Sequence, residues 1–199
     1  GRLKYIFEAK QGKSFALNAA IQLAQGDCIA MTDDDCMVHK DWLLKIYQTF
    51  SEKNVDMLCG KVKPIFNDEI PKWLDVNNIF FHGPIVSFNL GEKYFDNSQK
   101  SILATGANLI VSKASLSKFG GFQKEKRSQD TEISYRWQKL GAVIGYSPDV
   151  LVYHTTSVAR LNKKYFRRWH FLSGKNSRKI IKKKAEGLWV FLSGSITDY

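Results

Sequence analysis

The apolar and polar positions divide the first half of the chain into short alternating units. "LKYIFE" (Leu3 to Glu8), rich in β-branched and aromatic residues, predicts a strand. In "GKSFALNAAIQLAQG", Phe15, Leu17, Ala20, Ile21 and Ala24 recur at helical spacing, with Ser14 as N-cap and Gly26 as terminator. The strand "DCIAMT" follows, then three acids, then a helix from Asp41 through Phe50. "VDMLCGKVKP" predicts a further strand, ended by Pro64. Between Ile65 and Ile102 the periodicity is poor and aromatic residues dominate (Phe66, Trp73, Phe80, Phe81, Phe88, Tyr94, Phe95). This excursion reads as an aromatic satellite core, with a lid or binding wall as the alternative. After Thr105, "GANLIVSKASLSKFGGF" predicts a strand, a short helix and a glycine turn. "SQDTEISYRWQKLG" predicts a helix with Ser128 as N-cap and Gly141 at its end. "AVIGYSPDVLVYHTT" predicts two short strands around a Ser-Pro turn, and a long basic helix is expected after Asn162. The alternation predicts an α/β layer structure with a largely parallel sheet.

Length and composition fit one globular domain with its own core, since the 199 residues are 44% hydrophobic and 25% charged. No apolar run is long enough to cross a bilayer and no leader-like sequence opens the chain, which does not begin with Met. The three cysteines, Cys28, Cys36 and Cys59, do not form a disulfide framework and fit a reducing compartment. Charge changes the picture more. Eleven cations and no acid lie between Arg160 and Lys184, which equals the whole net charge of +11. The basic character therefore belongs to one C-terminal segment and points to a local partner.

The candidate chemistry begins at "TDDDC". On an extended chain Asp33 and Asp35 face one side while Asp34 faces the other. Two hard carboxylates aimed at one place suit Mg²⁺ or Mn²⁺, and a solvated acidic turn is the alternative. A calcium loop lacks its turn glycine and terminal Glu. Cys36-x-x-His39 resembles half a zinc site, but no second pair follows at usable spacing. Asp130 falls in the first turn of a predicted helix, where an acid is ordinary. Glu132, two residues on, should point elsewhere. His154 closes a strand, as a structural residue or a further metal ligand.

The order of "GKSFALNAAIQLAQGDCIAMTDDDCMVHKDWL", "TGANLIVSKASLSKFGGFQ" and "SQDTEISYRWQKLGAVIGYSPDVLVYH" resembles the inverting family 2 glycosyltransferases of the GT-A fold. The resemblance implies a Rossmann-like, mostly parallel sheet flanked by helices over residues 1–158, followed by a basic, aromatic-rich helical segment over 159–199. Against the resemblance, the chain is expected to begin at or near the strand after the family's opening nucleobase-binding strand-helix unit, so that either the sequence is a fragment or the nucleotide half is supplied in another way. The implied activity is metal-assisted transfer of a sugar from a nucleotide-diphosphate donor, UDP-linked by expectation, to an acceptor hydroxyl with inversion. By the same resemblance, Asp35 and His154 would hold the divalent metal, Mn²⁺ or Mg²⁺. Lys13, Asp33, Asp34, Gly106, Ala107 and Asn108 would bind the donor, and Asp130 would be the general base. Gln129 stands where the family commonly has a Glu beside that base.

The basic segment interleaves its cations with Tyr165, Phe166, Trp169, Phe171, Leu172, Ile180, Ile181, Leu188, Trp189, Val190 and Phe191. Such a helix suits packing on the domain, contact with an anionic membrane, or, as the weakest of the three, nucleic acid. Glycan or lipid-linked acceptors, common in the resembled family, fit a cytoplasmic protein peripheral on the inner face of a membrane. The rival whole-protein reading is an inactive transferase-like binding module recruited through this segment. A metal-dependent phosphohydrolase is a distant third.

Overall fold

In the computed structural model, residues 3–123 and 128–182 are described. Helix α1 (Lys13–Leu23) leads to β1 (Cys28–Thr32), a turn of aspartates, β2 (Cys36–Val38), α2 (Trp42–Glu52) and β3 (Met57–Phe66). Across the aromatic excursion lie α3 (Ile79–Ile85) and β4 (Phe95–Asp96). Then come β5 (Asn108–Ser112), α4 (Lys113–Phe119), α5 (Gln129–Lys139), β6 (Ile144–Thr156), a 3₁₀ turn at Val158–Arg160 and α6 (Lys163–Lys182).

The sheet runs β1-β5-β3-β6-β2, with β4 against β6. The α/β class and the helix-flanked sheet are as expected, but the strand polarity is not. Among the described residues only β3–β6 is parallel. Parallel neighbours need a crossover, and the chain makes one such return, from β3 through the excursion and α5 to β6. Odd residues of β3 and β5 (Met57, Cys59, Leu109, Val111) pack under α1, α4 and α5 with Ile133, Trp137 and Tyr146. Even residues (Leu58, Ile110) pack with Val150 and Val152 under Trp42 and Ile46 of α2. Central β3 is thereby buried on both faces along its first half.

A flat sheet of this order is impossible. β1 and β2 stand at its two ends, about 19 Å apart at ~4.8 Å per strand spacing. The four residue steps from Thr32 to Cys36 reach at most about 14 Å. The long strands resolve the conflict by bending. Their register shifts between Gly60 and Lys61, where Ser147 pairs with Gly60 but Leu151 with Lys61. β5 pairs only with Met57–Cys59, before the bulge, and β2 only with Val152–His154, beyond it. Bulges bend and twist strands, and here the bend carries the far halves of β3 and β6 over towards the end of β1.

Several expectations are corrected. Leu3–Glu8 forms no strand, and Leu3, Tyr5 and Phe7 are exposed, because no neighbouring strand pairs with them among the described residues. Ser14 does not cap α1. The chain enters through Gly12 at φ 136°, which favours glycine, and Ser14 is buried within the first turn. Pro64 does not end β3, since β5 has already left that side and no ladder donor is needed there. Ser147-Pro148 is the bulge of one continuous strand, not a turn between two. Ser128 precedes α5 in a left-handed conformation and makes no side-chain cap bond.

The aromatic excursion forms a satellite cluster in which Phe66, Trp73 and Phe81 surround Leu74, Ile85, Leu161 and Phe166. Through Phe166 the basic helix α6 docks on α3, and Trp169 lies so close to Gly83 that a Cβ there would sit 2.1 Å from the indole. Leu188, Trp189, Val190 and Phe191 lie outside the described residues, as do the side chains of Ile180 and Ile181.

Candidate functional site

The bend places the aspartate turn over the bulge. Cys36 N–H donates to the Asp33 carbonyl (3.2 Å), closing a turn with Asp34 and Asp35 at its corners. Thr155 N–H donates to the Asp35 carbonyl (3.0 Å), fastening the turn to the far half of β6. His154, 2% exposed, then presents Nε2 at 3.1 Å from Asp35 Oδ1, and Arg160 lies 3.8 Å from Asp35 Oδ2. Burial lowers the His154 pKa, opposed by the Asp35 carboxylate and reinforced by Arg160, a shift towards the uncharged ring that can ligate a metal. Its Nδ1 is buried without a hydrogen-bond partner.

The donor chemistry here fits a divalent cation. A carboxylate oxygen, an imidazole nitrogen and the Cys36 sulfur lie within 4.8 Å of one another. Burial raises the Cys36 pKa, as do the Asp33 and Asp35 carboxylates, while hydrogen bonds to Thr32 and Asp33 oppose them. Asp34 is exposed at the corner of the turn.

A second station lies along the same rim. Lys13, from the first turn of α1, reaches Asp33 Oδ1 at 2.5 Å. A Cβ placed on Gly106 would lie 3.4 Å from Lys13 Nζ and 3.5 Å from Asp130 Oδ2, so the loop passes between the two side chains. Gly106 N–H donates to Asp130 Oδ2 and Thr131 N–H to Asp130 Oδ1, both at 2.8 Å. The Thr32 hydroxyl donates to the Ala107 carbonyl (2.9 Å), tying this loop to the end of β1. Lys13, Met31, Thr32, Gly106, Gln129 and Asp130 enclose a small cavity. A larger groove of about 600 Å³, between Glu8, α1 and α4, includes none of the aspartates of either station.

Two predicted residues have structural duties. Asn108 is fully buried. Its amide donates to the Lys61 and Val150 carbonyls (3.0 and 2.8 Å) and accepts from Trp42 Nε1 (3.0 Å), filling the bulge. It meets the rim through its backbone and holds the bend in place. Glu132 pairs with Arg136, whose guanidinium also donates to the Phe119 and Gly121 carbonyls, so it points away from Asp130 as expected. Sequence reasoning missed Arg160, counted only as one of a run of cations, and Cys36, judged only against His39.

ExoM, a succinoglycan biosynthesis protein of Rhizobium meliloti (strain 1021), is 25% identical over 178 residues, covering 88% of this chain and 55% of the relative. A beta-monoglucosyldiacylglycerol synthase of Trichormus variabilis is 26% identical over 133 residues, covering 65% of this chain and 26% of the relative. Among solved structures, the mannosyltransferase PcManGT of Pyrobaculum calidifontis, in complex with GDP-Man and Mn²⁺, superposes with a TM-score of 0.50 at 18% identity. That alignment covers 80% of this chain and 39% of the other. TarS 1-349 of S. aureus, in complex with UDP-GlcNAc, gives 0.50 at 19%, covering 73% and 39%. The fold is GT-A-like, and the chain spans about half the length of the first of these relatives. The model of glycosyl transferase family 2 matches residues 1–119, more than half of the chain, and the protein belongs to that family.

Proposed function

We propose that the chain carries the catalytic site of an inverting glycosyltransferase that moves a sugar from a nucleotide-diphosphate donor, UDP-linked in this reading, to an acceptor hydroxyl. One observation carries it: two stations, Asp35 with His154 and Asp130 with Gly106, lie on one rim bridged by Asp33 and Lys13. Asp35 and His154 would hold Mn²⁺ or Mg²⁺, which would act as a Lewis acid on the leaving diphosphate. Lys13 and Arg160 supply cationic donors for phosphate oxygens. Asp33 takes the ribose side of the donor with Asp34 as a further donor contact from the corner of the turn, and the backbone of Gly106 and Ala107, positioned by Asn108, lines the sugar pocket. Asp130 would accept the acceptor hydroxyl's proton as oxygen bonds to the anomeric carbon and the diphosphate leaves. Such a base contributes roughly 10²–10⁴-fold, and a single displacement inverts the centre. Relatives named for succinoglycan biosynthesis and for a glucosyldiacylglycerol support a glycan or lipid-linked acceptor.

Calorimetric titration of UDP, then GDP, into the chain with and without Mn²⁺ tests the donor site, beside Asp35→Ala. Nucleotide binding that needs Mn²⁺ and disappears in the variant is expected. Binding indifferent to metal, or none from either nucleotide, would overturn the donor assignment.

A second reading, a non-catalytic module recruited to an anionic surface, is favoured by the exposed cations of α6 beside an exposed Phe171. Transfer activity that disappears with Asp130→Asn would exclude it.

A further inference from the structure

The metal station contains a donor that neither the acidic turn nor the histidine required. Cys36 opens β2 directly opposite His154 in the antiparallel ladder, so both side chains leave the same face of the sheet. Cys36 is half-buried against the cluster of Trp42, Ile46 and Val152, and its position is therefore set by packing. Its sulfur, a carboxylate oxygen of Asp35 and a ring nitrogen of His154 fall within 4.8 Å of one another, which is the spread of ligands around one ion. The three come from a turn, a strand start and a neighbouring strand, and the Thr155–Asp35 backbone bond locks them together.

We propose that Cys36 is a third metal ligand, completing an Asp35–Cys36–His154 site that prefers Zn²⁺ or Co²⁺ to Mg²⁺. The inference rests on the reading of Asp35 and His154 as the metal station. Oxygen and nitrogen alone suit Mn²⁺ or Mg²⁺ with phosphate oxygens completing the shell. An added thiolate gives the mixed oxygen, nitrogen and sulfur set that zinc and cobalt favour. On binding, the Cys36 thiol loses its proton to solvent and the sulfur bonds the metal. Three protein ligands leave a position open for a donor phosphate. Zn²⁺ therefore competes with Mn²⁺ for the same station.

The test uses the whole chain and two probes. Titration with Co²⁺ in the absence of nucleotide should produce the near-ultraviolet charge-transfer band of a cobalt–thiolate bond, absent in Cys36→Ser and present in Cys28→Ser. Cys36→Ser should bind Zn²⁺ at least ~10-fold more weakly, since even loss of an outer-shell partner costs that much, and its preference for Zn²⁺ over Mn²⁺ should narrow accordingly. In the unmodified protein, Zn²⁺ should protect Cys36 from iodoacetamide but leave exposed Cys28 reactive, a readout that depends on no variant. Metal binding with no thiolate band and no protection of Cys36 would overturn the proposal and leave the Asp35–His154 station standing. No binding of Co²⁺, Zn²⁺ or Mn²⁺ would overturn both.

Discussion

Asp130 accepts a backbone N–H bond on each of its carboxylate oxygens, one from its own helix and one from the loop at Gly106. The candidate base is thus also the anchor of the loop that lines the pocket. Asp130→Asn keeps the shape but turns one N–H₂ towards a backbone donor, so it removes the base and one anchor together. Transfer activity should fall at least ~10²-fold. The lost bond should lower stability by about 1–3 kcal/mol, read from the urea midpoint, and Mn²⁺-dependent UDP binding should persist. Activity within tenfold of the unmodified chain would remove Asp130 from the role of base. At this scale the sequence was legible where a residue's chemistry is unusual for its place, as with three adjacent carboxylates after an apolar strand. The bulge-filling duty of Asn108, and the places of Arg160 beside Asp35 and of Cys36 beside His154, were not, because their partners are far away in the chain. The Cys36-x-x-His39 spacing suggested a zinc half-site with no second half. The structure pairs Cys36 with His154 across a ladder, a partner that no local spacing reveals, while His39 lies beside Asp41.

Among the elements, the bend in β3 and β6 positions everything on the rim, and it depends on Gly60. A Cβ at that residue would lie 2.1 Å from Asn108 Nδ2 and 2.2 Å from the Val150 carbonyl oxygen. Both are held in the buried network that fills the bulge, and one is backbone, so neither can swing aside. Gly60→Ala should cost about 3 kcal/mol or more, combining overpacking with the loss of at least one buried hydrogen bond. Denaturant unfolding monitored by circular dichroism checks it, and Mn²⁺ affinity should fall in step as Asp35 and His154 lose register. A loss under about 0.5 kcal/mol would mean that the bulge does not rely on this contact. Helices were easier to read than strands for the same physical reason. The apolar stripe of α1 or α5 is local, whereas a strand exists only where a neighbour pairs with it. Leu3–Glu8 has the composition of a strand without the partner. "GYSPDVLVYH" has a turn's punctuation in the middle of one continuous strand, because Asn108 and β3 absorb the extra residues.

Across the whole molecule, the positive excess is confined to residues 160–184, and the described part of that segment is a helix laid on the satellite core. Its first three turns bury Phe166 and half-bury Tyr165 and Trp169, while Lys163, Lys164, Arg167, Arg168 and Lys175 remain exposed. Phe171 is 71% exposed and Leu172 36%, which packing on the domain alone does not explain. No helix among the described residues is long and apolar enough to cross a membrane. An amphipathic helix that offers cations with an exposed aromatic ring is suited to lie on an anionic surface. The chain should therefore co-sediment with phosphatidylglycerol vesicles at low salt and not with phosphatidylcholine vesicles. Binding should weaken as ionic strength rises, because the attraction decays within a Debye length. Each cation near such a surface contributes about 1 kcal/mol, so Arg167→Glu with Arg168→Glu should reduce partitioning at least ~10-fold. Phe171→Ser should reduce it while leaving the salt dependence in place, because the ring contributes burial and not charge. Failure to bind anionic vesicles at low salt would sink the membrane assignment. Equal binding to single-stranded polynucleotide would redirect it to nucleic acid, where the same cations meet phosphates and the same ring meets a base.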